Sequence, residues 1–497
     1  FLPPTIDGWD TAVARWGPPG QVFVNPCGIS VSASLGINMA DNLASSARGV
    51  PRARWRRRLV AIADWLYGPD EQPTRWWRVY PGFVALLGAG TLVMFFRIPG
   101  PARNVLWAED ASIFTTGALQ NHPFGSFFVP YAGYMQAFPR LAALAVVHVV
   151  PLTYLPQALA LVACAIAAFV AALIVLLLRP RMPALLPRLA IWLGIVTLPI
   201  AGIEVNGSIA NSHWYLMLAL FAIVVTRQHS ATMIALSGVT VSLAVMSDTL
   251  AALALPLILL RFLALENRRQ LWIPLVYVGS LVVQLAVTST THLAVADGRP
   301  VLAPFLRAMG FRVFLATLAG ESHTITFYQR FGLITLIGAT VVAIVALVWA
   351  VSRGGQLGGL AAISFLGAVV FFSVAAWIRW LPQYDPNVND GWGSSRYSVV
   401  PISLLILMYC AAIETWRQRR NGRIRPYIPL VAFVALLAAI AIPDFTATAR
   451  NAPQTWTSEI THARHVCANL SQSHEVDLAA APSGWKVTVS CGQLEGK

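Results

Sequence analysis

Apolar runs of about 18–20 residues recur along the chain, separated by short polar turns that carry arginine. A run of that length with almost no charge predicts a membrane-spanning helix, because inside a bilayer only a helix pairs every backbone group internally. The first such run covers residues 81–98, and the second is "LPQALALVACAIAAFVAALIVLLL", which ends against Arg179 and Arg181. Further spans are expected at 189–203, 214–227, 272–288, 333–351, 360–377, 399–413 and 427–442. Two shorter runs, "ATMIALSGVTVSLAVM" and "LAALALPLILL", are joined by Ser247-Asp248. The pattern predicts an all-α polytopic membrane protein of about 11 transmembrane helices.

Arginine position gives the expected orientation. The arginines at 52–58, "ENRRQ" and "RQRRNGRIR" all fall on one side of this topology, which the positive-inside rule makes the cytoplasm. The chain is expected to cross the cell inner (cytoplasmic) membrane many times, with a cytoplasmic N-terminus and an extracytoplasmic C-terminus. "RWRRRLVAIADWLYG" suits an interfacial helix, arginine towards head groups and Trp and Leu towards acyl chains. Three regions follow: residues 1–79, a cytoplasmic N-terminal extension with a basic interfacial segment; 80–443, the transmembrane domain; and 444–497, an extracytoplasmic tail. Residues 1–38 lack a secretory apolar core and any clear period, and Met39 is the first methionine. They are expected to be a disordered extension ahead of the native start.

The tail is polar, and "WKVTVSC" alternates as a strand does. Cys164 and Cys410 sit in apolar runs as packing residues, whereas Cys467 and Cys491 share the oxidising side and are expected to pair. The expectation is a small α/β tail closed by one disulfide.

Composition agrees with a membrane protein. Hydrophobic residues make up 57% of the chain and charged ones 11%, against about 25% charged in soluble proteins. The net charge of +14 comes almost wholly from arginine, since lysine occurs only at Lys486 and Lys497. Topology accounts for that excess, and no nucleic-acid partner is expected. Neither lysine sits in a GxxxxGK loop, and HExxH and GxSxG are absent. His462 and His465 in "HARH" lack a carboxylate cluster, so neither a metal nor another cofactor is expected, a divalent cation being left open.

Polar side chains gather in the expected outer loops. "NVLWAEDASIF" places Glu109 and Asp110 just beyond the first span, where carboxylates are costly to desolvate. "HPFGSFFVPYAGYMQAFPR" adds Tyr131 and Arg140, and "GIEVNGSIANSHWY" adds Glu204, Asn211 and His213. The expected loop at 290–331 carries His292, Arg307, Arg312 and Glu321; the next has Asp385, Asp390, Arg396 and Tyr397. Each alone can be a cap, an interface anchor or a solvated charge. Together they can roof one cavity. Tyr131, Arg140, Glu204, Asn211, His213, His292, Arg312 and Glu321 are expected to bind substrate there. Arg396, helped by Tyr397, is expected to bind a donor phosphate, with Asp385 or Asp390 as an alternative ion-pair partner. A carboxylate base beside arginines suits transfer of a sugar from a lipid phosphate: the base takes a hydroxyl proton and arginine holds the leaving phosphate.

These features together resemble the GT-C superfamily, integral-membrane glycosyltransferases that use polyprenyl-phosphate sugars. "LWAEDASIF", "PYAGYMQAFPR", "NSHW" and the tail pattern ending "GWKVTVSC" are similar to a family of actinobacterial membrane proteins. The resemblance implies a GT-C-like fold and a polyprenyl-phosphate-linked sugar donor, such as decaprenyl-phosphate arabinose or mannose. It also implies a glycan or glycolipid acceptor of the cell envelope, and Asp110 or Glu109 as the catalytic base. "ED" stands where the superfamily has Asp-x-Asp, which leaves open which carboxylate acts. A flippase for lipid-linked saccharide and a polysaccharide polymerase or ligase are the competing readings.

Overall fold

The computed structural model describes residues 51–68, 79–120, 125, 127–228, 230–263, 268–291, 301–378, 380, 384–388, 395–420, 425–450, 452 and 454–495. The 1–38 extension, His292 and Asp390 lie outside them. The helix Pro51–Tyr67 carries the basic segment expected at the interface, and from Arg58 onward the chain forms one unit.

Among the described residues, seven helices are long and apolar enough to cross a membrane: Tyr80–Arg97, Leu152–Leu177, Arg268–Ser289, Leu302–Phe331, Leu333–Arg353, Gln356–Ile378 and Ser395–Arg419. That is the make-up of a multi-pass α-helical membrane protein. The expected number of about 11 is not reached by these long helices, for two physical reasons. Several predicted spans are short helices, among them Ser212–Val224, Ala231–Val245 and Ile428–Ala441. A proline at Pro199 breaks the run after Leu185–Val196, and Ser247-Asp248 ends another. Second, much of the stretch expected as an outer loop at 290–331 is helical, and Leu302–Phe331 is long enough to span. It bends at Gly320, which has φ 69°. There the Asp444 carboxylate accepts from the backbone N–H of Glu321 at 2.9 Å and so caps the second half.

Ser395–Arg419 forms the centre of the bundle, with 94% of its apolar window buried, against 17% for the peripheral Tyr80–Arg97. Lipid gives apolar side chains no reason to leave it, so close packing must hold such helices together. Small residues permit that. Ala160, Ala163, Ala167, Ala168 and Ala171 form a buried face on Leu155–Leu177, and a Cβ on Gly90 would stand 2.9 Å from that of Ala168. Carbonyls left over at the Pro199 break are taken up by the buried Arg97, which donates to Val196 O (3.0 Å) and Leu198 O (3.1 Å).

At one end of the bundle, arginines close the chain turns. Arg181 donates to Leu66 O and to Val225 O (2.7 Å), Arg261 to Ile223 O (2.8 Å), and Arg227 pairs with Asp64 at 2.6 Å. The C-terminal tail covers a different part of the chain. Its helix Trp456–Cys467 packs on the antiparallel strands Glu475–Ala479 and Lys486–Ser490, paired with Val476 opposite Val489. Cys467 and Cys491 are disulfide-bonded. Trp456, Ile460, Leu478 and Val487 share one core with Leu106, Phe114 and Val146. The backbone joins too: Ala108 N–H donates to Ala481 O (2.5 Å), Ala481 N–H to Leu106 O (2.9 Å), and Trp456 N–H to Asn104 O (2.7 Å). The tail therefore clamps the strand of chain that carries Glu109 and Asp110.

Replacing Cys467 and Cys491 by alanine should lower tail stability by about 3 kcal/mol, the scale for a loop of this size. Limited proteolysis should then cleave first within the tail while the helical bundle stays intact; an unchanged digestion pattern would show that the core alone holds the tail.

Candidate functional site

A cavity of about 110 Å³ opens where the N-terminal end of Ser212–Val224, the C-terminal end of Gln356–Ile378 and the start of Ser395–Arg419 meet the Glu109 and Tyr131–Gln136 segments. Glu109, Tyr131, Tyr134, Gln136, Asn211, His213, Asp248, Arg396 and Tyr397 are among the residues that line it. Three of the four expected outer loops thus contribute to the cavity, and no described residue of 290–331 lines it.

Among the described residues that line this cavity, Arg396 is the one arginine or lysine. Its Nη1 lies 3.8 Å from Glu109 and 3.9 Å from Glu204. Both distances exceed hydrogen-bond length, so the guanidinium is neutralised without using its N–H donors on either carboxylate. Glu204 is fixed from behind: its Oε1 accepts from Arg396 N–H (3.1 Å) and Ser395 Oγ (3.3 Å). Tyr397 meets Trp214 edge-to-face with ring centres 5.2 Å apart, and its ring centre lies 5.6 Å beneath Arg396 Cζ. The alternative partner Asp385 binds elsewhere. It pairs with Arg307 at 2.5 Å, and that guanidinium helps to hold its carboxyl below the usual range against the opposing effect of burial.

Asp110 lies behind the cavity wall and is buried. Its carboxylate accepts from Ser208 Oγ (3.1 Å), Ile209 N–H (3.2 Å) and Ala210 N–H (2.8 Å). Burial pushes its carboxyl up to about 7, against the pull of Arg450 and of the bonds from Ala210 and Ser208. Arg450 in turn donates to Asn206 O at 3.1 Å, and Asn206 Nδ2 to Met94 O at 2.9 Å. The turn needs Gly207, which has φ +74°, where a Cβ would meet Ile98 Cδ1 at 2.4 Å. Asn211 does not cap the following helix with its side chain; it donates instead to Glu204 O (3.0 Å) and Ser208 Oγ (3.2 Å).

The same turn sets His213. Ala210 gives its N–H to Asp110, and its carbonyl stands 2.6 Å from His213 Nδ1. A carbonyl only accepts, so Nδ1 carries a proton. On the other side, Nε2 is 3.4 Å from Asp248 Oδ2, while Asp248 Oδ1 caps Leu250 N–H at 2.8 Å. Asp248, Tyr134, Gln136 and Trp214 were not among the expected site residues. The one signal for Asp248 was a lone charge between two short apolar runs.

The remaining expected residues lie away from the cavity lining. Arg140 is buried over the Phe114 ring at 5.6 Å, and Arg312 over Tyr384 at 4.6 Å. Glu321 stands at the Gly320 bend, under the Asp444 cap. Among the described residues, no three His, Cys, Asp or Glu side chains converge as metal ligands.

A second cleft, of about 220 Å³, is lined almost wholly by apolar residues, including Met217, Phe221, Leu257, Phe371 and Leu404. It shares Leu250 with the polar cavity. A polar chamber and an apolar slot thus meet at one residue. Comparisons with protein families, with curated proteins and with solved structures find no match to this chain.

Asp110→Asn replaces one acceptor oxygen by a donor in a nest of donors. It should cost about 0.5–1.5 kcal/mol for each bond lost, the scale for a group that keeps its proton below about pH 7. The pH dependence follows from the raised value. The folded state keeps the proton longer than the unfolded chain, whose Asp titrates near about 3.9, so this group's stabilisation is lost as pH rises towards about 7. Thermal unfolding in detergent between those two pH values should show that slope in the wild type and a flatter one in Asp110→Asn; identical slopes would contradict it.

Proposed function

We propose that the protein is a glycosyltransferase of the GT-C kind, transferring a sugar from a polyprenyl phosphate to a cell-envelope glycan or glycolipid at the outer face of the cytoplasmic membrane. The observation that carries this reading is Arg396: a guanidinium at a cavity whose lining meets an apolar slot, with both flanking carboxylates beyond hydrogen-bond reach. That is the chemistry of an amphiphile with an anionic head. A phosphate accepts two parallel N–H bonds from guanidinium, and an isoprenoid chain suits the slot. Neutral and aromatic groups around the head, among them Tyr131, Tyr134, Gln136 and Trp214, suit a sugar.

The carboxylate pair after the first apolar span, the many spans and the "RY" before a late one, which resemble the GT-C superfamily, support the same class. Departure of the lipid phosphate leaves negative charge beside Arg396, which the cation stabilises. The acceptor hydroxyl needs a base, and the cavity holds two candidates: Glu109, and the His213–Asp248 pair. Flipping of a lipid-linked saccharide is the second reading, favoured by the helix break at Ser247-Asp248. A polymerase or ligase would use the same chemistry on a longer donor.

Arg396→Lys keeps the charge and loses the fork. It should weaken donor use by about 1.5–3 kcal/mol, or roughly ten- to a hundred-fold in kcat/KM, with thermal stability preserved. Transfer from radiolabelled decaprenyl-phosphate arabinose or mannose in reconstituted vesicles measures it. Unaltered donor use together with a lowered Tm would make Arg396 a structural ion pair and remove the main support for this reading.

A further inference from the structure

The position of Glu109 raises a geometric difficulty for its use as base. In a direct displacement at the anomeric carbon, the attacking and leaving oxygens lie on opposite sides of the sugar. Base and phosphate-binding cation are then kept apart by the reacting ring, as the two carboxyl groups of inverting glycosidases are, by roughly 6.5–9.5 Å. Glu109 is 3.8 Å from Arg396 Nη1, on the cation's own side. A carboxylate there offsets and orients Arg396; it is poorly placed to take a proton across the ring.

The other ionisable pair in the lining comes from different elements. His213 begins the Ser212–Val224 helix, and Asp248 precedes the 3-10 helix Thr249–Ala254. Both side chains are buried, and each is held by backbone: His213 Nδ1 by Ala210 O at 2.6 Å, Asp248 Oδ1 by Leu250 N–H at 2.8 Å. The Nδ1 bond leaves Nε2 as the nitrogen that takes up a proton, with Asp248 Oδ2 at 3.4 Å to neutralise the imidazolium formed. The arrangement is an imidazole oriented by a backbone carbonyl at Nδ1, with a carboxylate beside the nitrogen that takes the proton.

Resting on the glycosyl-transfer reading above, we propose that the His213–Asp248 pair is the proton acceptor for the acceptor hydroxyl, and that Glu109 and Glu204 position Arg396 on the leaving side. In the step, the hydroxyl oxygen bonds to the anomeric carbon as the bond from that carbon to the phosphate oxygen breaks. The electron pair leaves with the lipid phosphate, held by Arg396, and the hydroxyl proton passes to His213 Nε2. The product is a glycoside of inverted configuration, together with free polyprenyl phosphate. Asp110 takes part at one remove: through Ala210 it fixes the carbonyl that aims the imidazole.

The test is transfer from radiolabelled decaprenyl-phosphate arabinose and mannose to octyl glycosides, with decaprenyl phosphate binding measured alongside. His213→Gln and Asp248→Asn should each lower kcat by about 100- to 10,000-fold at saturating donor, with decaprenyl phosphate affinity within about threefold of wild type. Glu109→Gln should act mainly on donor KM and lower kcat far less than either. Binding of decaprenyl phosphate also shows that the cavity is intact; should His213→Gln fail to fold, the isosteric Asp248→Asn decides. Near-normal kcat in both pair variants, or a retained anomeric configuration, overturns the inference while leaving the transferase reading standing. A wild-type protein inert with both donors overturns the two together.

Discussion

The site depends on one buried carboxylate. Asp110 gathers Ser208 Oγ and the N–H groups of Ile209 and Ala210, converting 201–211 from a loop into a rigid wall. Burying a carboxylate costs several kcal/mol. Three hydrogen bonds to the carboxyl, together with Arg450 close by, offset part of it, and burial still leaves the group raised. With Asp110 turned into the protein, Glu109 lines the cavity beside Arg396. Two adjacent acids thereby serve different partners: one fixes Ala210, whose carbonyl orients His213, and the other neutralises a guanidinium. The tail reinforces this by hydrogen-bonding Leu106 and Ala108 on the preceding strand of chain.

The cavity lies where helices stop. Non-helical backbone at membrane depth is tolerated where it is buried in protein or lines a cavity, and here each break has its own satisfied groups. Arg97 collects the carbonyls before Pro199, Asp248 caps its own turn, and Asp444 caps the half-helix after Gly320. Short helices such as Ser212–Val224 and Ala231–Val245 are therefore what allows polar side chains to meet beside an apolar slot.

Much of this was legible in the chain itself. The apolar runs at 81–98, 333–351 and 399–413 fall on helices; strand alternation in "WKVTVSC" and the two cysteines beyond the last apolar run identified the tail. The convergence of the Glu109, Asn211, His213 and Arg396 segments was legible as well. Three features were not. Hydropathy cannot separate a helix with a glycine bend from a loop, so Leu302–Phe331 read as one. Nor does a charged residue announce its direction: Arg140 and Arg312 stack on buried rings away from the cavity lining. And the division of labour between Glu109 and Asp110 depends on backbone donors a hundred residues away in sequence. Asp248 could be noticed but not placed, because its partner His213 is set by that same distant turn.

The account rests on Arg396 meeting a lipid phosphate, and the most direct measurement is a cryo-electron microscopy structure of the full chain with decaprenyl phosphate in nanodiscs. The account predicts phosphate oxygens about 2.7–2.9 Å from the Arg396 guanidinium, and the first isoprene units in the slot beside Leu250, Phe371 and Leu404. A phosphate bound elsewhere, with Arg396 still held between Glu109 and Glu204 and the slot empty, would contradict it.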